Sequence, residues 1–184
     1  MRRALVLGLL VAAAGSTAAL GASAPSNPLR LVLLPADFPA KADPVDAGPM
    51  PPSFALKLRG IDASGRGARY FASIPFGPER AQNVSGLVVT TPSVAQARKV
   101  YAWQKRTAMR RGKRSATLRL PRFGDEQIAL ADGETDSGRL LVRRNTVVWR
   151  LEVAAAGELA LSSARVRDEL AKYAAKQRDK NGRG

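Results

Sequence analysis

The sequence predicts an α+β fold: a mainly antiparallel sheet of about six to seven strands with two helices packed on one face, ordered β-β-β-α-β-β-β-β-α. Three observations carry that expectation. Short apolar or alternating runs recur between Gly, Pro, Asp and Asn, the pattern of strands closed by turns. Only two stretches combine helical periodicity with a start signal, one from Pro92 and one from Ser162 or Ser163. Strands joined by short turns pair antiparallel, and two helices cover only one face of such a sheet well.

The chain begins "MRRALVLGLLVAAAGSTAALGASA". Arg2 and Arg3 precede an uncharged apolar stretch, Ala4 to Ala14, and small residues follow, the order of a secretory signal peptide over residues 1–24. The competing reading is an uncleaved anchor, although Gly, Ser and Thr interrupt the apolar stretch before the ~20 residues a span requires. With no Cys, a lipid-anchored lipoprotein is excluded. A secreted or extracytoplasmic location follows.

Removing those residues, which hold two arginines and no acid, leaves 160 residues with a net charge of +13. That length suits one domain. Without disulfides, an exported domain must rest on its apolar core alone. Of the 30 basic residues 22 are Arg, and the chain is rich in Ala, so coding bias could contribute part of the charge.

Residues 25–53 carry eight of the twelve prolines and read as an irregular lead-in, with Leu31 to Leu34 docking as a short edge strand. A single domain follows over 54–180, ending in a disordered tail at 181–184. Its first three strands are "FALKLR", "RYFASIPF", with Tyr70, Ala72, Ile74 and Phe76 on one face, and the β-branched "VSGLVVTT". Thr91 then caps a helix that has Pro92 at its first position and Gly112 as its stop. Beyond it lie "ATLRL", "EQIALA" and the hairpin "RLLVRRNTVVWRLEV", turning at Arg144-Asn145. In that hairpin Val147, Trp149, Leu151 and Val153 face one way, and Arg150 and Glu152 the other. The terminal helix buries Val166, Leu170 and Tyr173, and its last residues, "KQRDKNGRG", fray.

Much chemistry is struck out by composition. Zero His removes Ser-His-Asp triads, Cys-His nucleophiles and His-ligated zinc or iron, and zero Cys removes thiol catalysis and thiolate metals. Neither Ser-x-x-Lys nor Gly-x-Ser-x-Gly occurs. "GRGARY" lacks the last glycine of a phosphate loop, so a turn is the better reading. Asp132, Glu134 and Asp136 imitate a calcium loop, but Ser137 and Arg143 stand where Gly and Glu are needed. Asp125 and Glu126 are neighbours that point to opposite faces of a strand and close a turn after Gly124. No catalytic residue, metal ligand or cofactor is assigned.

What remains is charge. "RKVYAWQKRTAMRRGKR", residues 98–114, holds eight cations and no acid. On a helix, Val94, Ala97, Tyr101 and Ala108 form the core stripe, and Trp103 looks outward among Lys99, Arg106 and Arg110. Lys99, Trp103, Arg106, Arg110, Arg111, Lys113 and Arg114 are the candidate contacts to a polyanion, with cations meeting phosphates and the ring entering an interfacial layer. A solvated helix face, with Trp103 covered by a loop, is the plainer alternative. Export points to anionic membrane lipids, wall polymers or another envelope protein as partner, and away from nucleic acid.

The signal, "LVLLPADFP", "YFASIPFG", "LPRFGDEQIAL" and "LLVRRNTVVWRLEV" together resemble small exported proteins of actinobacterial type, which carry a Gly-Asp-Glu segment before a "VRRxxVVW" hairpin. Similar hairpins occur in extracytoplasmic sensor-like lipoprotein modules, from which this chain departs by lacking the lipidated Cys. The resemblance supplies no catalytic residues. The residues leave three readings: a non-catalytic envelope module, favoured by Trp103 and the stripe of Lys99, Arg106 and Arg110; a small apolar-ligand cup; and a hydrolase built on Asp125, Glu126 and Arg150.

Overall fold

The computed structural model describes residues 27–42, 46–75, 80–111, 115–132, 136–157 and 161–182. The expected signal segment lies outside them. So do Phe76, Lys113, Arg114 and Glu134.

The chain forms β1 (Asp46–Pro49), α1 (Pro52–Arg59), β2 (Arg66–Pro75), β3 (Arg80–Thr90), α2 (Val94–Arg111), β4 (Ala116–Thr117), β5 (Glu126–Asp132), β6 (Ser137–Arg144), β7 (Val147–Gly157) and α3 (Ser163–Asn181). Two 3-10 turns, Pro28–Arg30 and Pro35–Asp37, come first. All seven strands join one antiparallel sheet in the order β1-β2-β3-β7-β6-β5-β4. The α+β class and the antiparallel sheet are as the sequence predicts.

The placement of the helices differs. α3 buries Val166, Leu170, Tyr173 and Ala174 against Tyr70, Leu140, Val142, Trp149, Leu151 and Val153 on one sheet face. α2 buries Ala97, Val100 and Tyr101 against Leu87, Leu141 and Val148 on the other. The two long helices therefore sandwich the sheet, and do not share a face. The cause is local: Leu140-Leu141-Val142 is a continuous apolar run, and such runs mark strands covered on both sides. Val148, beside Trp149, does the same for β7.

Four local differences have equally simple causes. "FALKLR" is α1, not a strand: its alternation mimics period two, but Pro51-Pro52 suits a helix start, and Phe54, Leu58 and Ile61 share one helical face. Leu31 to Leu34 forms no strand, although Leu31, Val32 and Leu33 dock fully into the core beside Phe38. Of "ATLRL" only Ala116 and Thr117 form a strand on β5; the Leu118 amide still donates to the Ala129 carbonyl at 3.0 Å, and Leu118 and Leu120 pack against the core under α3. The hairpin loop is Asn145-Thr146, one residue later than expected, with Asn145 at φ 51° and Arg144 opposite Val147.

The end of α3 is held, not frayed. Lys180 pairs with Asp37 at 2.7 Å, Lys176 donates to the Asp37 carbonyl, and the Gln177 amide donates to the Leu31 carbonyl. Asn181 is also buried and accepts from Gln177 at 3.3 Å. This polar strip fastens residues 31–38 onto the last turns of the helix.

At Gly138 in β6, a Cβ would lie 2.2 Å from Val166 Cγ1 and 2.8 Å from Leu170 Cδ1, so α3 sits on bare backbone. Gly138→Val is expected to cost about 1–3 kcal/mol through overpacking, read as a lower midpoint in urea denaturation. Gln177→Ala leaves the Leu31 carbonyl buried and unpaired; the same measurement should show a loss of about 1–3 kcal/mol. Arg167→Ala, on the exposed side of α3, should stay within ~0.5 kcal/mol.

Candidate functional site

Ser93 caps helix α2, which begins at Val94. The Ser93 hydroxyl accepts from the Gln96 amide at 3.3 Å, and its carbonyl accepts from Ala97 at 3.0 Å. Thr91, the expected cap, instead donates its hydroxyl to the Thr146 carbonyl at 3.0 Å, tying the helix entrance to the β6–β7 turn. The helix has no acidic residue.

Its buried stripe is Ala97, Val100, Tyr101, Gln104 and Ala108. Val94, expected in that stripe, is 40% exposed because the first turn extends past the second core. The rotation matters for Trp103. It moves from the centre of the outer face to its flank, where the ring is half-buried and stacks on Phe54 of α1 at 5.2 Å and 59°. The outward-looking Trp103 of the sequence reading is thus corrected: a helix mistaken for a strand covers it. The turn that follows α1 is also anchored to α2: Asp62 and Ser64 accept from the side-chain amide of Gln96 at 3.5 and 3.1 Å.

Lys99, Arg106 and Arg110 are exposed, as is Lys105, and these four have no ion pair among the described residues. Met109 lies between them, 55% exposed. Arg98 alone reaches an acid, Glu126, at 3.9 Å. At about 100° per residue these residues share one outer stripe. Nothing is described of the side chain of Arg111 or of Lys113 and Arg114.

Arg143 is buried, its side chain 5% exposed, and is held by Glu126 and Asp125 at 2.8 Å each. Asp125 also accepts from the Asn145 amide at 2.8 Å. Asp125 and Glu126 therefore converge on one guanidinium and do not diverge as the sequence reading has it, because Asp125 precedes the strand. The pair is a structural lock on the hairpin turn. Tyr101 beside it is pushed up to about 12 by burial first, then by Glu126, with Arg143 opposing, so its phenol stays neutral. Arg150, the third residue of the hydrolase possibility, pairs instead with Glu152 at 3.4 Å. Among the described residues no three carboxylates gather as metal ligands.

α2 covers only part of its sheet face. Beyond Leu141 the strands present Arg139, Arg150 and Glu152, with Arg139 and Glu152 directly opposite and in contact. Two hollows open there, of about 340 and 410 Å³, and share Phe71 and Ser85. Between α1 and α2 a smaller cavity of about 140 Å³ is lined by Phe54, Lys57, Trp103, Gln104, Leu141 and Arg150, among others. The sequence reading missed this cavity because Phe54 and Lys57 were placed on a strand. The signal that could have found them was Pro51-Pro52. No protein-family model matches the chain, and no curated protein or solved structure is detectably similar to it.

Proposed function

We propose that this chain is an exported, non-catalytic binding module of the cell envelope that lays the outer stripe of α2 on a phosphate-rich anionic surface. The observation that carries the reading is the set of four exposed cations, Lys99, Lys105, Arg106 and Arg110, with no ion pair among the described residues. Cations meant only to solvate a helix tend to alternate with acids along it; α2 has none. Met109 in the middle of the stripe adds an apolar contact of the sort that enters a headgroup layer. Trp103 is a flank residue in this reading, with one edge turned to Phe54.

Each basic residue near an anionic surface contributes ~1 kcal/mol of attraction. Co-sedimentation with phosphatidylglycerol-containing vesicles should show binding that neutral phosphatidylcholine vesicles lack. Raising salt from about 0.1 to about 1 M, which shortens the Debye length from ~10 to ~3 Å, should abolish it. Changing Lys99, Arg106 and Arg110 together to Glu should weaken it by about a hundredfold or more. Purified wall in a parallel arm separates a wall polymer from lipid. Equal sedimentation of the triple variant and the unaltered protein on both surfaces would refute the proposal.

A further inference from the structure

The cavity between α1 and α2 adjoins the cationic stripe, on the flank of α2 that carries Trp103, Gln104, Thr107 and Ala108. Its volume of about 140 Å³ is close to the ~150 Å³ that holds one benzene-sized ring. Phe54 and Trp103, in contact at 5.2 Å, form one aromatic wall, and Leu141 adds apolar surface from the sheet. Lys57, Arg139 and Arg150 also line it, and no acidic residue does. Glu152 pairs with Arg139 and Arg150 from the neighbouring hollow, so the lining keeps a positive excess.

Gln104 is the informative residue. It lines the cavity at 4% exposure, and neither atom of its amide has a hydrogen-bond partner among the described residues. An amide buried without partners destabilises the fold, and an apolar side chain at that position would not. Gln104 sits in the middle of the buried stripe of α2, where packing asks for Leu or Ala. A donor and an acceptor kept there against that cost fit a ligand that bonds to them.

We infer that this cavity binds a small aromatic carboxylate. One ring packs against the joined Phe54 and Trp103 rings, and its carboxylate accepts from the Gln104 amide nitrogen and is neutralised by Lys57 and the two arginines. This site does not depend on the surface-binding reading, since it uses none of Lys99, Lys105, Arg106 or Arg110.

Titration of the isotope-labelled protein with sodium benzoate, followed by NMR, tests it. Benzoate should shift the Trp103 indole and Gln104 amide signals saturably, and benzyl alcohol, which lacks the charge, should bind about tenfold more weakly or worse. Gln104→Leu should weaken benzoate binding about tenfold while leaving the thermal midpoint equal or higher. Lys57→Ala, at an exposed position of α1, should weaken it similarly without moving that midpoint. At about 1 M salt, where the Debye length falls to ~3 Å, the triple Glu variant should bind benzoate as the unaltered protein does at the same salt, which separates failure of this site from failure of the surface. Absence of a saturable shift, or undiminished binding in both single variants, would overturn the inference.

Discussion

The β6–β7 hairpin is buried on both sides, and the rest of the molecule is arranged around that fact. Leu140 and Val142 point to one core while Leu141 between them points to the other. Trp149 and Val148 repeat the arrangement on the partner strand. A chain without cysteine has no covalent support, so its stability comes from removing apolar surface from water. Two cores sharing one central hairpin do this with few residues. The helices are held in place because the hairpin leaves each of them a separate apolar strip to cover.

The ends of that hairpin are fixed by polar contacts. Arg143 gathers Asp125, Glu126 and the Asn145 carbonyl at the turn, the Thr91 hydroxyl reaches the carbonyl of Thr146, and the start of α2 is set thereby. A buried guanidinium with two carboxylates is stable only as a complete set, since losing one partner leaves charge unpaired in a poor solvent. The same set explains why the acids near β5 are unsuited to proton transfer. Their oxygens are occupied in holding Arg143, and Arg150 is engaged with Glu152.

The sheet was legible in the sequence because β2, β3, β5, β6 and β7 each carry their own pattern and their own turn residues. The terminal helix was legible too, with Ser162 accepting from the Arg165 amide as its cap. What escaped was tertiary. Period two in "FALKLR" and a helical i, i+4 pair at Phe54 and Leu58 are both consistent with the same six letters, and what selects between them lies outside: Pro51-Pro52 before them and the surface of α2 beside them. The polar letters of "KQRDKN" look like a fraying end until residues 31–38 arrive to use them. The cations of α2 were plain from composition, whereas the cavity was not, because Phe54 and Lys57, which close one side of it, come from a distant segment of the sequence.

The contacts of Asp37 with Lys180 and of the Leu31 carbonyl with Gln177 bring the first and last described parts of the chain together on the α3 side of the sheet. α2 lies across the sheet from them. A fluorophore attached to the exposed side of α3, at Arg167 for instance, would thus project from the back of the molecule and leave the front unobstructed for immobilised measurements.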